Sequence, residues 1–219
     1  MGLGREVVYL LATRGGYASL EGSDWEQIFA RLIGARWKPS NVGLDDVVLE
    51  QTAWGAKTIK SANPARTKRV RLIAGRNSPV YSFGDSAVSE RDPEDLGKKV
   101  LAIWNERVAA VRKTYRHART VVLLKADDLL ELAVFEFETV MFPEEEFFWQ
   151  WNAHGNLEGY HRKNETHKFT WQPHGSQFTL IEEVPSDRLA IRIKQPPVLR
   201  QKDVLTALNF DSSWVEIIK

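Results

Sequence analysis

Cysteine is absent from the sequence, which removes disulfides, thiolate zinc sites and cysteine nucleophiles together and fits a reducing compartment. Long apolar runs are also missing. A stretch such as Val7-Val8-Tyr9-Leu10-Leu11-Ala12 falls far short of the ~20 residues a bilayer span needs. Arg5 and Glu6 flank that stretch with no longer apolar region leading to a small-residue cleavage site, so no secretory leader is expected. A cytoplasmic location without a membrane partner follows as the expectation. An excess of one charge sign is lacking as well: 30 Lys and Arg face 29 Asp and Glu, a net charge of +1. Polyanions are therefore not attracted by the chain as a whole, and any nucleic-acid site must come from local segregation of charge.

The 219 residues, 43% hydrophobic and 27% charged, are enough for one globular domain with a sizeable core and an appended subdomain. Charge is arranged in blocks. Lys57 to Arg76 holds seven basic residues and no acid, whereas Asp127 to Glu146 holds eight acids and no base. The even total hides a strongly basic segment.

Ser23-Asp-Trp-Glu26 has the form of a capping box, and Trp25, Ile28, Phe29, Leu32 and Ile33 then recur at helical spacing, predicting a helix over 24–33. Gly34 ends it, Pro39 and Gly43 fall in a loop, and 46–50 reads as a short strand. A turn at Gln51-Thr52 leads into a returning strand over 54–60, and a third strand is expected over 70–74. From Pro93 to about Ala118 helical spacing resumes, followed by β-rich runs at 120–124 and 132–140. Beyond Pro143 the chain turns aromatic and polar, with short strands expected around 167–171 and 177–183. The fold class expected is α/β: a mixed central sheet flanked by helices in residues 1–146, carrying a β-rich aromatic region in 147–219.

Acids cluster where the first two strands meet: Asp45, Asp46 and Glu50 on the first, with Lys57 on the second. Paired strands lie about 4.8 Å apart, so a carboxylate and Lys57 can face a common site. Clustered carboxylates suit Mg²⁺, which keeps several waters and commonly binds through one or two carboxylates plus substrate phosphate. That chemistry points to hydrolysis of a phosphodiester. No nucleotide cofactor is expected.

The order helix, strand, strand, strand, helix, strand, with Trp25-Glu26 on the first helix, Gly43-Leu44-Asp45 entering a strand and Ala56-Lys57 after a hairpin, resembles the PD-(D/E)XK nuclease superfamily over residues 23–125. The stretches 53–64 and 71–79 are similar to small type II restriction endonucleases. The resemblance implies a Mg²⁺-dependent endonuclease that cuts double-stranded DNA as a homodimer. It implies a metal ligand at Asp45, with adjacent Asp46 competing, and a water-positioning role for Lys57. The chain departs from the pattern at Gly55, where an acid is expected two residues before the lysine. Glu50 or Glu26 would then supply the missing ligand; with neither, the domain becomes a non-catalytic binder. Glu26 also has a structural explanation in the capping box.

Within the basic block, Lys60, Ser61, Asn63, Arg71, Arg76 and Asn77 suit phosphate and base contacts. In the aromatic region Lys168, Trp171, His174 and Gln177 are the corresponding candidates, since Gln can pair bidentately with adenine, although core packing is the commoner fate of a Trp ring. Arg112, Lys113, Arg116 and Arg119 are accounted for by the end of the long helix, where cations complement the dipole. The four histidines from His154 to His174 match no compact zinc spacing. The acidic block would repel DNA and is expected to face away from it or to form a subunit contact.

Overall fold

The computed structural model describes residues 1–14, 19–38, 43–84 and 88–218. Pro39, read above as part of a loop, lies outside them. Along the chain run α1 (Gly2–Arg14), α2 (Gly22–Ile33), β1 (Arg36–Trp37), β2 (Val47–Leu49), β3 (Thr52–Lys60), β4 (Arg69–Arg76) and α3 (Pro79–Phe83). These are followed by α4 (Pro93–Thr114), β5 (His117–Lys125), β6 (Glu131–Glu138), β7 (Phe147–Trp151), β8 (Leu157–His161), β9 (His167–Gln172), β10 (Gln177–Glu183), β11 (Leu189–Arg192) and α5 (Gln201–Ala207). The protein is of the mixed α/β class.

Two sheets organise it. The first has the order β1-β2-β3-β5-β6-β11 and the second β4-β10-β9-β8-β7. In the first sheet β3 and β5 are parallel and the other pairings antiparallel. The run Val121-Val122-Leu123-Leu124 is buried throughout because β5 is central and covered on both faces. On one side, Leu3, Val7 and Leu10 of α1 and Trp25 and Ile28 of α2 pack on Ala56, Val121, Leu123 and Leu132. On the other, Val48, Ala53 and Ala118 meet Leu96, Val100, Trp104 and Val108 of α4 and the aromatic inner face of the second sheet, Phe169, Trp171 and Phe178. Val70 and Leu72 close the remaining space against Val122, Leu124, Ala133 and Phe135.

Four expectations change. Helix α2 starts two residues early, with Glu21 as its N-cap: Glu21 and Asp24 form the reciprocal capping box, so Ser23 and Glu26 do not. Leu49 pairs with Thr52, placing the hairpin turn at Glu50-Gln51, one residue before the expected position. The strand expected at 70–74 exists as β4 but joins the second sheet, because its partner is β10. The β1 strand at Arg36–Trp37, in a stretch read as loop, takes the third place beside β2 and β3. Helix α1 had no helical signal assigned to it beyond its apolar run.

The compositional change near 146 does not separate the sheets. From residues before it, β4 enters the second sheet, and from residues after it, β11 enters the first. Helix α4 ends at Thr114, short of the expected 118, so Arg116 lies beyond it and Arg119 falls on β5. Arg112 of α4 and Arg119 of β5 both reach Glu138 of the acidic strand β6, and Arg119 also reaches Glu136.

Candidate active site

The β2–β3 hairpin places Asp46 immediately before β2 and Lys57 midway along β3. Asp46 is 2% exposed, and its Oδ2 accepts the Ala56 backbone N–H at 3.0 Å and lies 3.9 Å from Lys57 Nζ. Lys57 Nζ also donates to the Gly43 carbonyl at 2.8 Å. Burial dominates the electrostatics of this pair. It raises the Asp46 carboxyl from 3.8 to about 6, against the opposing pull of Lys57 and the Ala56 N–H. Burial likewise lowers the Lys57 ammonium, opposed by Asp46 and Glu26.

Glu26, on α2, is close enough for its charge to act on both Asp46 and Lys57. Its Oε2 accepts the Trp37 indole N–H at 2.9 Å, which ties the helix to β1 and holds the carboxylate at the site. Gly43 was read from the sequence only as the approach to Asp45, and Trp37 was not singled out; the two-residue strand that carries Trp37 is too short for any periodicity to show.

Glu50 stands elsewhere, and Asp45 lies beside the pair. The Asp46 side chain is buried, whereas Asp45 turns to Lys38, whose ammonium lies 5.9 Å from the Tyr115 ring; the charge of Asp45 still acts on Asp46. Glu50 occupies the exposed hairpin tip at φ 50°. With a rise of ~3.3 Å per residue, the five steps from Thr52 to Lys57 alone put that tip ~16 Å away along the strand, so Glu50 does not complete the site.

Gly55 has a structural cause. A Cβ there would stand 2.6 Å from the Gly43 carbonyl oxygen and 3.1 Å from Leu44 Cα. The segment that supplies Asp46 runs directly over the position where an acid was expected. Among the described residues, no group of three or more His, Cys, Asp or Glu side chains is placed to hold a metal ion. Two carboxylates, Asp46 and Glu26, remain, which fits an ion that takes its other ligands from water and substrate phosphate.

The nucleic-acid candidates divide. Arg71 lies exposed on β4, and Arg76 at its end pairs across the ladder with Gln177, which in turn pairs with Gln172; exposed His174 is in the adjoining turn. Arg76, His174 and Gln177 are therefore brought together at one end of the second sheet. Arg107 of α4 joins them by donating to the Arg76 carbonyl at 3.0 Å. Trp171 and Asn77, by contrast, are fully buried, the Trp171 indole donating to the Asn77 carbonyl at 2.9 Å. Neither side chain is available to DNA. Lys60 pairs with Asp127 at 3.0 Å, with both side chains exposed. The Ser61 hydroxyl is shared with Thr67 and accepts the Asn63 N–H, so both residues shape the turn between β3 and β4. Lys168 is held by Glu182 at 2.7 Å.

No protein-family model, curated protein or solved structure matches the chain. Among the described residues, no helix is long and apolar enough to cross a membrane.

Proposed function

We propose that this protein is a Mg²⁺-dependent endonuclease of the PD-(D/E)XK kind, acting on double-stranded DNA as a homodimer in the manner of a type II restriction enzyme. The observation that carries the reading is the buried Asp46 facing Lys57 across a hairpin, with Glu26 brought to both from the preceding helix. The adjacency of β1, β2, β3 and β5 in that order in one sheet, with α2 before β1, supports it further, while β4 and α3, which come between β3 and α4 in the chain, lie outside that sheet.

In this reading Asp46 and Glu26 hold the ion. Bound Mg²⁺ would supply charge neutralisation at the scissile phosphate and a water of lowered pKa. Lys57, anchored by the Gly43 carbonyl, orients that water and stabilises the charge developing on phosphate oxygens. Burial lowers its pKa from the ordinary lysine value, which eases release of a proton from the ammonium. Arg71, Arg76, His174 and Gln177 form the DNA-facing group, the first two contacting phosphates and the last two reading base edges.

The backbone packed over Gly55 favours a second reading, a non-catalytic DNA-binding module that keeps the fold. One experiment separates them: digestion of a long defined duplex with Mg²⁺, with EDTA, and with the Lys57→Ala variant, resolved on a gel. Discrete Mg²⁺-dependent fragments, lost in the variant by a factor of at least ~100, are the expected result. Intact DNA accompanied by salt-sensitive retardation would replace the enzyme with the module. In either case the Arg71→Ala/Arg76→Ala double variant should reduce the slope of log K against log salt by about 2 in a binding titration.

A further inference from the structure

Residues 214–218 expose apolar side chains, Trp214 meeting Phe210 edge-on at 5.7 Å between ring centroids. Trp214, Val215, Ile217 and Ile218 are 62%, 66%, 86% and 91% exposed. Val215 is already extended, at φ −122° and ψ 116°, and residues 215–218 belong to no helix or sheet. The run Val215-Glu216-Ile217 alternates apolar and acidic with the period of a strand.

The first sheet ends on a strand with a matching vacancy. Among the described residues β11 pairs with β6 alone, and its outer edge has no partner strand. Its side chains alternate as well: Ile191 and Ile193 turn toward the α1 side, where they pack with Leu3 and Val7, and Leu189 shares that face by period. Ala190, Arg192 and Lys194 take the opposite face. Between this strand and α1 lies a cavity of about 580 Å³, lined among others by Gly4, Val8, Leu189 and Ile191. A Cβ on Gly4 meets nothing within 4 Å, so the space beside it is open. Arg5, Arg192 and Lys194 are the charged residues of the lining, all of one sign.

We infer that residues 214–218 of a second copy add to β11 as a further strand of the first sheet, and that the exchange is reciprocal, giving a twofold dimer. Val215 and Ile217 enter the groove against Val8, Leu189 and Ile191. Glu216, on the other face, then lies beside Arg192 and Lys194. Free strand edges invite this kind of pairing, and a twofold axis makes each chain both donor and acceptor. The charge match argues for this occupant, because Glu216, the charged residue of 214–218, is acidic and comes beside Lys194, while the neighbouring Arg192 is already paired with Glu131 of β6 at 3.1 Å. The chain's own segment does not fill the groove: after the Leu199 N–H bonds the Ala12 carbonyl at the far end of α1, it leads through α5 into solvent. None of this depends on the nuclease reading.

Sedimentation equilibrium of the full chain tests the inference. The expected mass is twice 25.0 kDa. Gly4→Phe, which fills the groove, and Ile217→Asp, which removes the apolar anchor, should each raise the dimer dissociation constant by about 100-fold or more. Both changes are at solvent-facing positions, so unchanged circular dichroism is expected for each. The absence of cysteine permits a direct check of which chain donates. A tagged Val8→Cys chain mixed with an untagged Ile217→Cys chain should give a reducible band of the combined mass on oxidation. A monomeric wild type, or a dimer that survives both substitutions, overturns the inference. So does a Val8→Cys/Ile217→Cys double variant that closes within one chain while the two single variants fail to cross-link.

Discussion

Asp46 shows how one residue's surroundings set its chemistry. Ordinary exposed carboxylates ionise near 3.8, whereas burial moves this one to about 6. Because its folded pKa is raised, the native state binds more protons than the unfolded chain between those values, and stability falls as pH rises through that window. The loss is complete above about 6 and amounts to roughly 3 kcal/mol. Asp46→Asn should therefore gain stability relative to the wild type as pH is raised from 4.5 to 7.5, measured by urea denaturation at each pH. A difference that stays constant with pH would show that Asp46 carries no such cost. At this scale the sequence disclosed the residue types but not their directions. Of the adjacent acids Asp45 and Asp46 the resemblance favoured Asp45, with Asp46 competing, whereas in the fold Asp46 faces Lys57 and Asp45 turns to Lys38. Glu26, read as a capping residue, is released from that duty by Glu21 and Asp24, a shift of two positions that no local signal distinguishes.

At the level of elements, glycine marks places where segments approach closely. At Gly55 the obstruction is the backbone of residues 43 and 44, which cannot rotate away. Gly55→Ala should cost about 1–3 kcal/mol in denaturant unfolding, and Gly55→Asp more, without creating a better metal site. At Gly97, inside α4, a Cβ would fall 2.1 Å from Trp149 Cγ. Alanine ordinarily favours a helix by about 1 kcal/mol over glycine, so a loss of stability in Gly97→Ala would show that the contact with β7 outweighs intrinsic propensity. Helices α2 and α4 were legible because twelve and twenty-two residues display their period several times over. β1, with two residues, displays none. The hairpin was legible as an element but not in register, since a turn at 50–51 and one at 51–52 differ by a single residue that no local signal selects, while the ladder slides by two.

For the whole molecule, the two sheets are built by exchange. β4 depends on β10, more than a hundred residues later in the chain, and β11 returns from the far end to cap the first sheet. A fragment of residues 1–146 leaves β4 without its ladder and the inner face of α4 without Phe169, Trp171 and Phe178. It should fail to give a cooperative thermal transition or a dispersed amide spectrum; a well-folded fragment would contradict the shared core. The sequence by itself determined the α/β class, helices α2 and α4, the strands β2 to β6, β9 and β10, and the segregation of charge into a basic and an acidic block, because each of these is written in local period and composition. Only the tertiary structure decided which sheet β4 enters, which acid faces Lys57, why position 55 has no side chain, and that Asn77 and Trp171 are interior. Those outcomes depend on contacts between residues far apart in the chain, where packing and burial select among arrangements that local signals leave equal.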